Sequence, residues 1–162
     1  MLLILFTLVV LAFGIVLLYG APYVPTLKSQ QVAALKLLNL KQGQTMLELG
    51  CGDGRVLRAA AKQGIRGVGY ELNPIMYVVA VLVTWRYRKL VSIRFGNFWQ
   101  GTWPPADGIY VFLLDRFMEK LHKKITQEYL GKKVKVVSYT FKIPQQTPVK
   151  TETGLYLYEY SL

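Results

Sequence analysis

Glu48-Leu49-Gly50-Cys51-Gly52-Asp53-Gly54-Arg55 is the stretch on which the fold turns. An apolar run, Thr45 to Glu48, leads into it as a short strand, and Arg55 to Gln63 follows as a helix stopped by Gly64. Glycines at such a strand-to-helix turn let the backbone bend tightly and approach a ligand closely, while the helix start offers unpaired N–H groups. A dinucleotide fingerprint needs its third glycine at the sixth position. That position holds Arg55, so the dinucleotide pattern fails and an acid-x-G-x-G-x-G spacing remains.

Downstream, Gly67 to Glu71 reads as a second strand and Pro74 opens a helix to about Arg88. Val91 to Phe95 is a third strand, Ile109 to Leu113 a fourth, and Met118 to Leu130 a helix ended by Gly131. Val134 to Thr140 and Leu155 to Tyr160 complete the strands, and upstream Ser29 to Leu40 reads as a helix capped by Ser29. Strands alternating with helices predict an α/β fold, a mostly parallel twisted sheet flanked by helices. The helix from Pro74 contains IMYVVAVLVTW. Its apolar length suits a buried core helix, and its WRYRK end suits a lipid headgroup region.

Glu71 ends the second strand roughly 20 residues after the glycine loop, where a carboxylate accepts hydrogen bonds from ribose hydroxyls. The chain has only nine acids against 20 Lys and Arg, a net charge of +11. Glu48, Asp53 and Glu71 at strand ends in so basic a chain point to a cationic, hydroxyl-bearing ligand, and S-adenosyl-L-methionine is both. Gly96-Asn97-Phe98-Trp99 follows the third strand; there Asn97 is placed to bond adenine and Phe98 to pack on its ring. No spacing of His and Cys suggests a metal. Trp103-Pro104-Pro105 precedes the fourth strand, the wrong place for an amide- or adenine-methylating signature.

Met1 to Tyr19 carries no charged residue, and the first is Lys28. Roughly 18–20 apolar residues span a bilayer core. Residues 1–20 are therefore predicted to be a transmembrane anchor, 21–28 a linker broken by Pro22 and Pro25, and 29–162 the catalytic domain. The basic residues after the anchor place that domain on the cytoplasmic side. A prokaryotic plasma membrane is the favoured location and a mitochondrial inner membrane the alternative.

From Tyr23 onward the chain resembles the lysine methyltransferases of the ATP synthase c-ring protein and the adenine nucleotide translocase and their prokaryotic relatives. YVPT (23–26), LELGCGDGRVLRAAAKQG (47–64), VGYELNP (68–74), NFW (97–99), VFLLDRFMEKLHKKI (111–125) and the C-terminal VVSYTFKIPQQTP and GLYLYEY carry the resemblance. It implies a Rossmann-like class I methyltransferase that uses S-adenosyl-L-methionine and methylates lysine of a membrane protein. Donor contacts would fall on Glu48, Gly50, Cys51, Gly52, Asp53, Gly54, Glu71, Leu72, Asn97 and Phe98. Tyr23 to Thr26 would form a lid, with Tyr23 lining a lysine channel. Asp115 stands where such enzymes place acceptor-binding residues, or else caps the following helix. The family's eukaryotic members usually carry Asp at the positions of Glu48 and Asn97, so a proton-accepting role at Asn97 loses its charge. Cys51 is read as a small loop residue and His122 as solvated surface. The competing readings are methylation of a lipid or quinone, and a basic binding module without activity; nucleic acid is disfavoured as a partner.

Overall fold

The computed structural model describes residues 23–161, together with Leu2, Ile4, Phe6, Thr7, Val10 and Gly14, which are helical. The anchor expected over residues 1–20 lies almost wholly outside the described residues. Among the described residues no helix is long and apolar enough to cross a membrane.

The elements in chain order are α1 (Lys28–Leu38), β1 (Thr45–Leu49), α2 (Arg55–Ala61), β2 (Arg66–Glu71) and α3 (Pro74–Thr84). They continue with β3 (Val91–Phe95), β4 (Gly108–Phe112), α4 (Met118–Glu128), β5 (Lys133–Tyr139), β6 (Lys150–Glu152) and β7 (Leu155–Ser161). One sheet runs β3-β2-β1-β4-β5-β7-β6. β1 to β5 pair in parallel, and β7 lies antiparallel between β5 and β6. The order runs outward in both directions from β1 and β4, so the crevice where ligands bind in open α/β sheets opens between their carboxyl ends.

Alternation along β1 decides which side chain goes where. Leu47 and Leu49 join one buried cluster with Ile109, Val111 and α4, whereas Met46 joins the other, with Tyr110 and helices α1 and α2. Glu48 has the parity of Met46 and pairs in register with Tyr110 on β4 and Gly69 on β2. A carboxylate is thereby held inside the α1–α2 layer. At the base of the sheet, Asp107 accepts the Thr45 N–H at 2.7 Å and fixes the start of β1 against β4.

Three local expectations are corrected. α1 starts at Lys28 with Leu27 as its cap residue, and Gln30 accepts the Leu27 N–H at 3.2 Å, so Ser29 lies inside the first turn. α3 ends at Thr84 and gives way to a tight three-residue turn, Trp85–Tyr87. β6 was not foreseen; it pairs with β7 across Thr153-Gly154, both at positive φ (49° and 77°), the backbone that closes a two-residue hairpin.

Candidate active site

The glycine loop is hung from β2. Gly50 and Cys51 both donate to the Tyr70 carbonyl, at 3.0 and 2.8 Å, and Gly52 donates to Glu71 Oε2 at 2.7 Å. Glu71 Oε1 accepts the Asn73 N–H at 2.8 Å, so one carboxylate ties the loop to the end of β2 and to the start of α3. Residues 48–54 and Glu71 are brought together at the crevice. Gly50 has φ +80°, and a Cβ there would meet nothing within 4 Å, leaving open space beside the loop. Gly54 is packed instead: its Cβ would lie 3.1 Å from Thr84 and 3.3 Å from Ala80 of α3.

Glu48 is 4% exposed and has one carboxylate oxygen, Oε2, without a partner. Burial, with the Asp53 and Glu71 charges nearby, pushes its pKa well above the ordinary carboxylate range, against a backbone N–H from Leu57 at the start of α2. Native structures rarely leave a buried carboxylate oxygen unpaired, because the desolvation cost is recovered only by a partner. The neighbouring Tyr110 hydroxyl is also buried without a hydrogen bond of normal geometry, although Thr26 stands beside it. Burial likewise pushes up Glu71, and the N–H groups of Asn73, Gly52 and Leu72 partly offset this. Leu72 itself is half-buried at the tip of β2.

Residues expected as linker lie on the site. A Cβ at Gly52 would sit 2.8 Å from the Tyr23 ring, so Tyr23 covers the loop at its narrowest residue. Arg55 joins the two layers: its guanidinium holds Asp53 at 2.6 Å and reaches Tyr23 Oη at 3.4 Å and the Thr26 carbonyl at 3.5 Å. Burial alone would raise the Asp53 pKa, but Arg55 outweighs this and holds the carboxyl below its usual range. Asp53, expected to face a ligand, has its charge committed to Arg55. Tyr23 is pushed up by burial and by Asp53, so it stays a phenol at neutral pH. Cys51 is pushed well up by burial, then by Glu48 and Glu71, and its thiol is no nucleophile. Tyr23, Pro25, Thr26, Glu48, Gly50, Cys51 and Tyr110 line one cavity with Phe112 at the end of β4.

The remaining expected residues are more distant from that cavity's lining. Asn97 follows Gly96, whose N–H bonds the Glu71 carbonyl at 2.9 Å, so this loop adjoins the acid. Its side-chain oxygen accepts the Trp99 N–H at 3.0 Å, which leaves the amide NH2 as the group to offer a ligand. Phe98 is 7% exposed, with its ring 4.6 Å from Trp99, and presents little surface to an adenine. Asp115 is exposed just past β4 and makes no capping bond; the residues preceding the Asp115–Phe117 turn and α4 cap without side chains, so the cap reading fails. His122 is half-buried, with Nδ1 3.0 Å from Tyr160 Oη, and not solvated surface. Arg55 and Tyr110 were not foreseen. Arg55's signal was its bulk at a glycine position two residues after an acid, whereas Tyr110's appears only once strand register sets it opposite Glu48.

S-adenosyl-L-methionine carries an ammonium, a ribose diol and an adenine. Buried Glu48 with an unpaired oxygen, Glu71 at the rim, and the open space at Gly50 fit those groups. Comparison with known proteins points the same way. The model of the ANTKMT methyltransferase domain matches residues 48–150. The human lysine N-methyltransferase named for the ATP synthase c-ring protein is 33% identical over 129 residues, covering 78% of this chain and 54% of its own length. The chain thus spans about half the length of such animal relatives. A protein-lysine N-methyltransferase of Saccharolobus islandicus is 33% identical over 149 residues, 85% of this chain and 92% of its own. Among solved structures, an RNA methyltransferase from Salinibacter ruber in complex with S-adenosyl-L-homocysteine superposes with a TM-score of 0.76 at 27% identity, covering 85% of this chain and 93% of that one. On its glycine loop, its sheet order and these matches together, the chain belongs to the ANTKMT methyltransferase domain family, within the S-adenosyl-L-methionine-dependent methyltransferases.

Proposed function

We propose that this chain methylates the side-chain amine of lysine in a membrane-associated protein, working from a membrane to which Met1–Tyr19 anchors it with the catalytic domain on the cytoplasmic side. The observation that carries the donor half is Glu48, a buried carboxylate with an unpaired oxygen beside a ligand-sized opening. The lysine half rests on relatives whose names specify protein lysine, one of them matched over 92% of its length.

When bound, the donor supplies an electrophilic methyl group on a sulfonium. Glu48 would hold the ammonium, Glu71 the ribose diol, and the Asn97 amide the adenine, each by charge or hydrogen bonding from a fixed backbone. Gly50 and Gly52 allow the chain to pass close by. Tyr23 to Thr26, held by Arg55, would exclude water and orient the acceptor, which is where an enzyme of this kind gains most. As a phenol, Tyr23 would accept or donate a hydrogen bond to the lysine amine without removing its proton. Phe112 and Tyr110 give that amine an apolar, low-dielectric approach, which favours its neutral form. Asp115, exposed past β4, would meet the acceptor protein and not the reacting atoms.

A second reading, methylation of RNA, is favoured by the Salinibacter relative and the +11 charge. Incubating the protein with membranes, RNA and methyl-labelled donor separates the readings. Label in a protein band that yields methyllysine on hydrolysis supports the lysine reading; label in RNA or in the organic extract refutes it. Glu71→Ala should abolish the labelling and weaken S-adenosyl-L-homocysteine binding in calorimetry by at least tenfold, about 1.4 kcal/mol.

A further inference from the structure

Helix α3 is covered on one side only. Of its eleven residues, Met76, Ala80 and Thr84 are buried. Ile75, Val78, Leu82 and Trp85 are 40%, 53%, 68% and 58% exposed, at a spacing that sets them in one stripe. No charged side chain lies between Pro74 and Thr84. Contiguous exposed apolar surface on a domain of this size marks a contact with something apolar.

The flanks of the stripe say what that is. At its C-terminal end Arg86, Arg88 and Lys89 follow in sequence, with the Arg88 guanidinium 5.0 Å over the Trp85 ring. Along its side, reached at Val83, an open groove of about 540 Å³ runs between α1 and α2, lined by Lys28, Arg55, Arg58 and Lys62. The acid in that lining, Asp53, is already paired with Arg55. An apolar stripe with cations at its end and along its side matches a bilayer surface with anionic headgroups. A second copy of a chain with net charge +11 would oppose like charges there, so self-association is disfavoured. Ahead of Tyr23 the chain carries a further apolar run, Met1–Tyr19, that would keep the domain near lipid.

We propose that the α3 stripe and the basic groove beside it form a lipid-docking surface that seats the domain on an anionic bilayer, with the Trp85 ring at the headgroup boundary. Fixing the domain by two elements, the N-terminal segment and α3, would hold one orientation of the crevice toward the membrane. The inference does not rest on lysine being the acceptor, and donor binding or methyl transfer failing would leave it standing.

The test uses the full chain in phosphatidylcholine vesicles with and without phosphatidylglycerol at about one part in three. An environment-sensitive fluorophore is placed at Leu82→Cys, with a control at Glu119→Cys on α4, which packs on the opposite face of the sheet. The native Cys51 is buried and does not compete. In anionic vesicles the label at 82 should shift to the blue and be quenched by nitroxide lipid, while the label at 119 stays in water. Arg58→Gln with Lys62→Gln should lower the docked-to-undocked ratio about 30-fold, about 2 kcal/mol for two charges, with sedimentation on vesicles retained. A label at 82 that stays in water refutes the surface. So does quenching that is indifferent to phosphatidylglycerol and to both glutamines, or protection that appears only when a membrane protein is added.

Discussion

Replacing Glu48 with glutamine is the sharpest test of the site, because it should make the free protein more stable and the donor complex weaker. In the free protein one Glu48 oxygen has no partner and the residue is 4% exposed. Its pKa is raised by burial above the ordinary 4.5. The folded state therefore binds a proton more tightly than the unfolded one, so Glu48 contributes stability below about pH 4.5 that is lost as pH rises through its folded pKa. The slope for one proton is about 1.4 kcal/mol per pH unit. An unpaired buried group costs about 1–3 kcal/mol. Glutamine keeps the shape and the Leu57 contact but not the titration. Thermal unfolding across pH 4.5 to 8 should thus fall away in the native chain and stay flatter in Glu48→Gln, which gains roughly 3–10 °C near neutrality. Binding should move the other way. Loss of a charge-assisted hydrogen bond, about 1.5–3 kcal/mol, weakens S-adenosyl-L-homocysteine roughly 10- to 150-fold. 5′-Methylthioadenosine shares the ribose and adenine but lacks the ammonium, and its affinity should not change. Equal losses for both ligands in calorimetry, or none for either, would refute the assignment of Glu48 to a cation.

Two further substitutions probe how the loop is built. A Cβ at Gly69 would lie 2.5 Å from Leu57 Cδ1 and 2.8 Å from Cys51 Sγ, so Gly69→Ala should destabilise by about 1–3 kcal/mol in urea unfolding, through overpacking under the glycine loop. Tyr23→Ala removes the ring over Gly52 and should speed dissociation of S-adenosyl-L-homocysteine in stopped flow by at least several-fold, with thermal stability within about 1 kcal/mol of native because Tyr23 is partly exposed. An unchanged off-rate would mean that Tyr23 to Thr26 do not cover the donor.

The donor half of the site was legible because its geometry is local. Glu48 and Glu71 end strands, the glycines sit between one strand and one helix, and parallel pairing of β1 with β2 then forces the loop and the acid together. What joins distant segments was less readable. That Arg55 ties Asp53 to Tyr23, 32 residues earlier, depends on how the stretch before α1 crosses the loop, and no spacing rule encodes it. Tyr110 reads as one more strand residue until the β1–β4 register places it against Glu48. β6 was missed because Lys150-Thr151-Glu152 has neither alternation nor apolar content; the turn at Thr153-Gly154 and pairing to β7 make it a strand.

Helix α3 shows a limit of a different kind. Reading a face from sequence needs a polar side to contrast with the apolar one, and a helix without charged residues offers no such contrast. Its composition fits burial on all sides equally well. The sheet, however, covers only one side: Gly54 lets α2 come close to Ala80 and Thr84, which fixes which side is inward and leaves Val78, Leu82 and Trp85 outward. A soluble domain under no other constraint would gain by placing lysine or glutamate at those positions, since each exposed apolar residue invites aggregation. Polar residues are instead confined to the end of the stripe and the groove beside it, where all but Asp53 among the charged ones are basic. That distribution makes physical sense if the solvent met by this face is lipid with anionic headgroups.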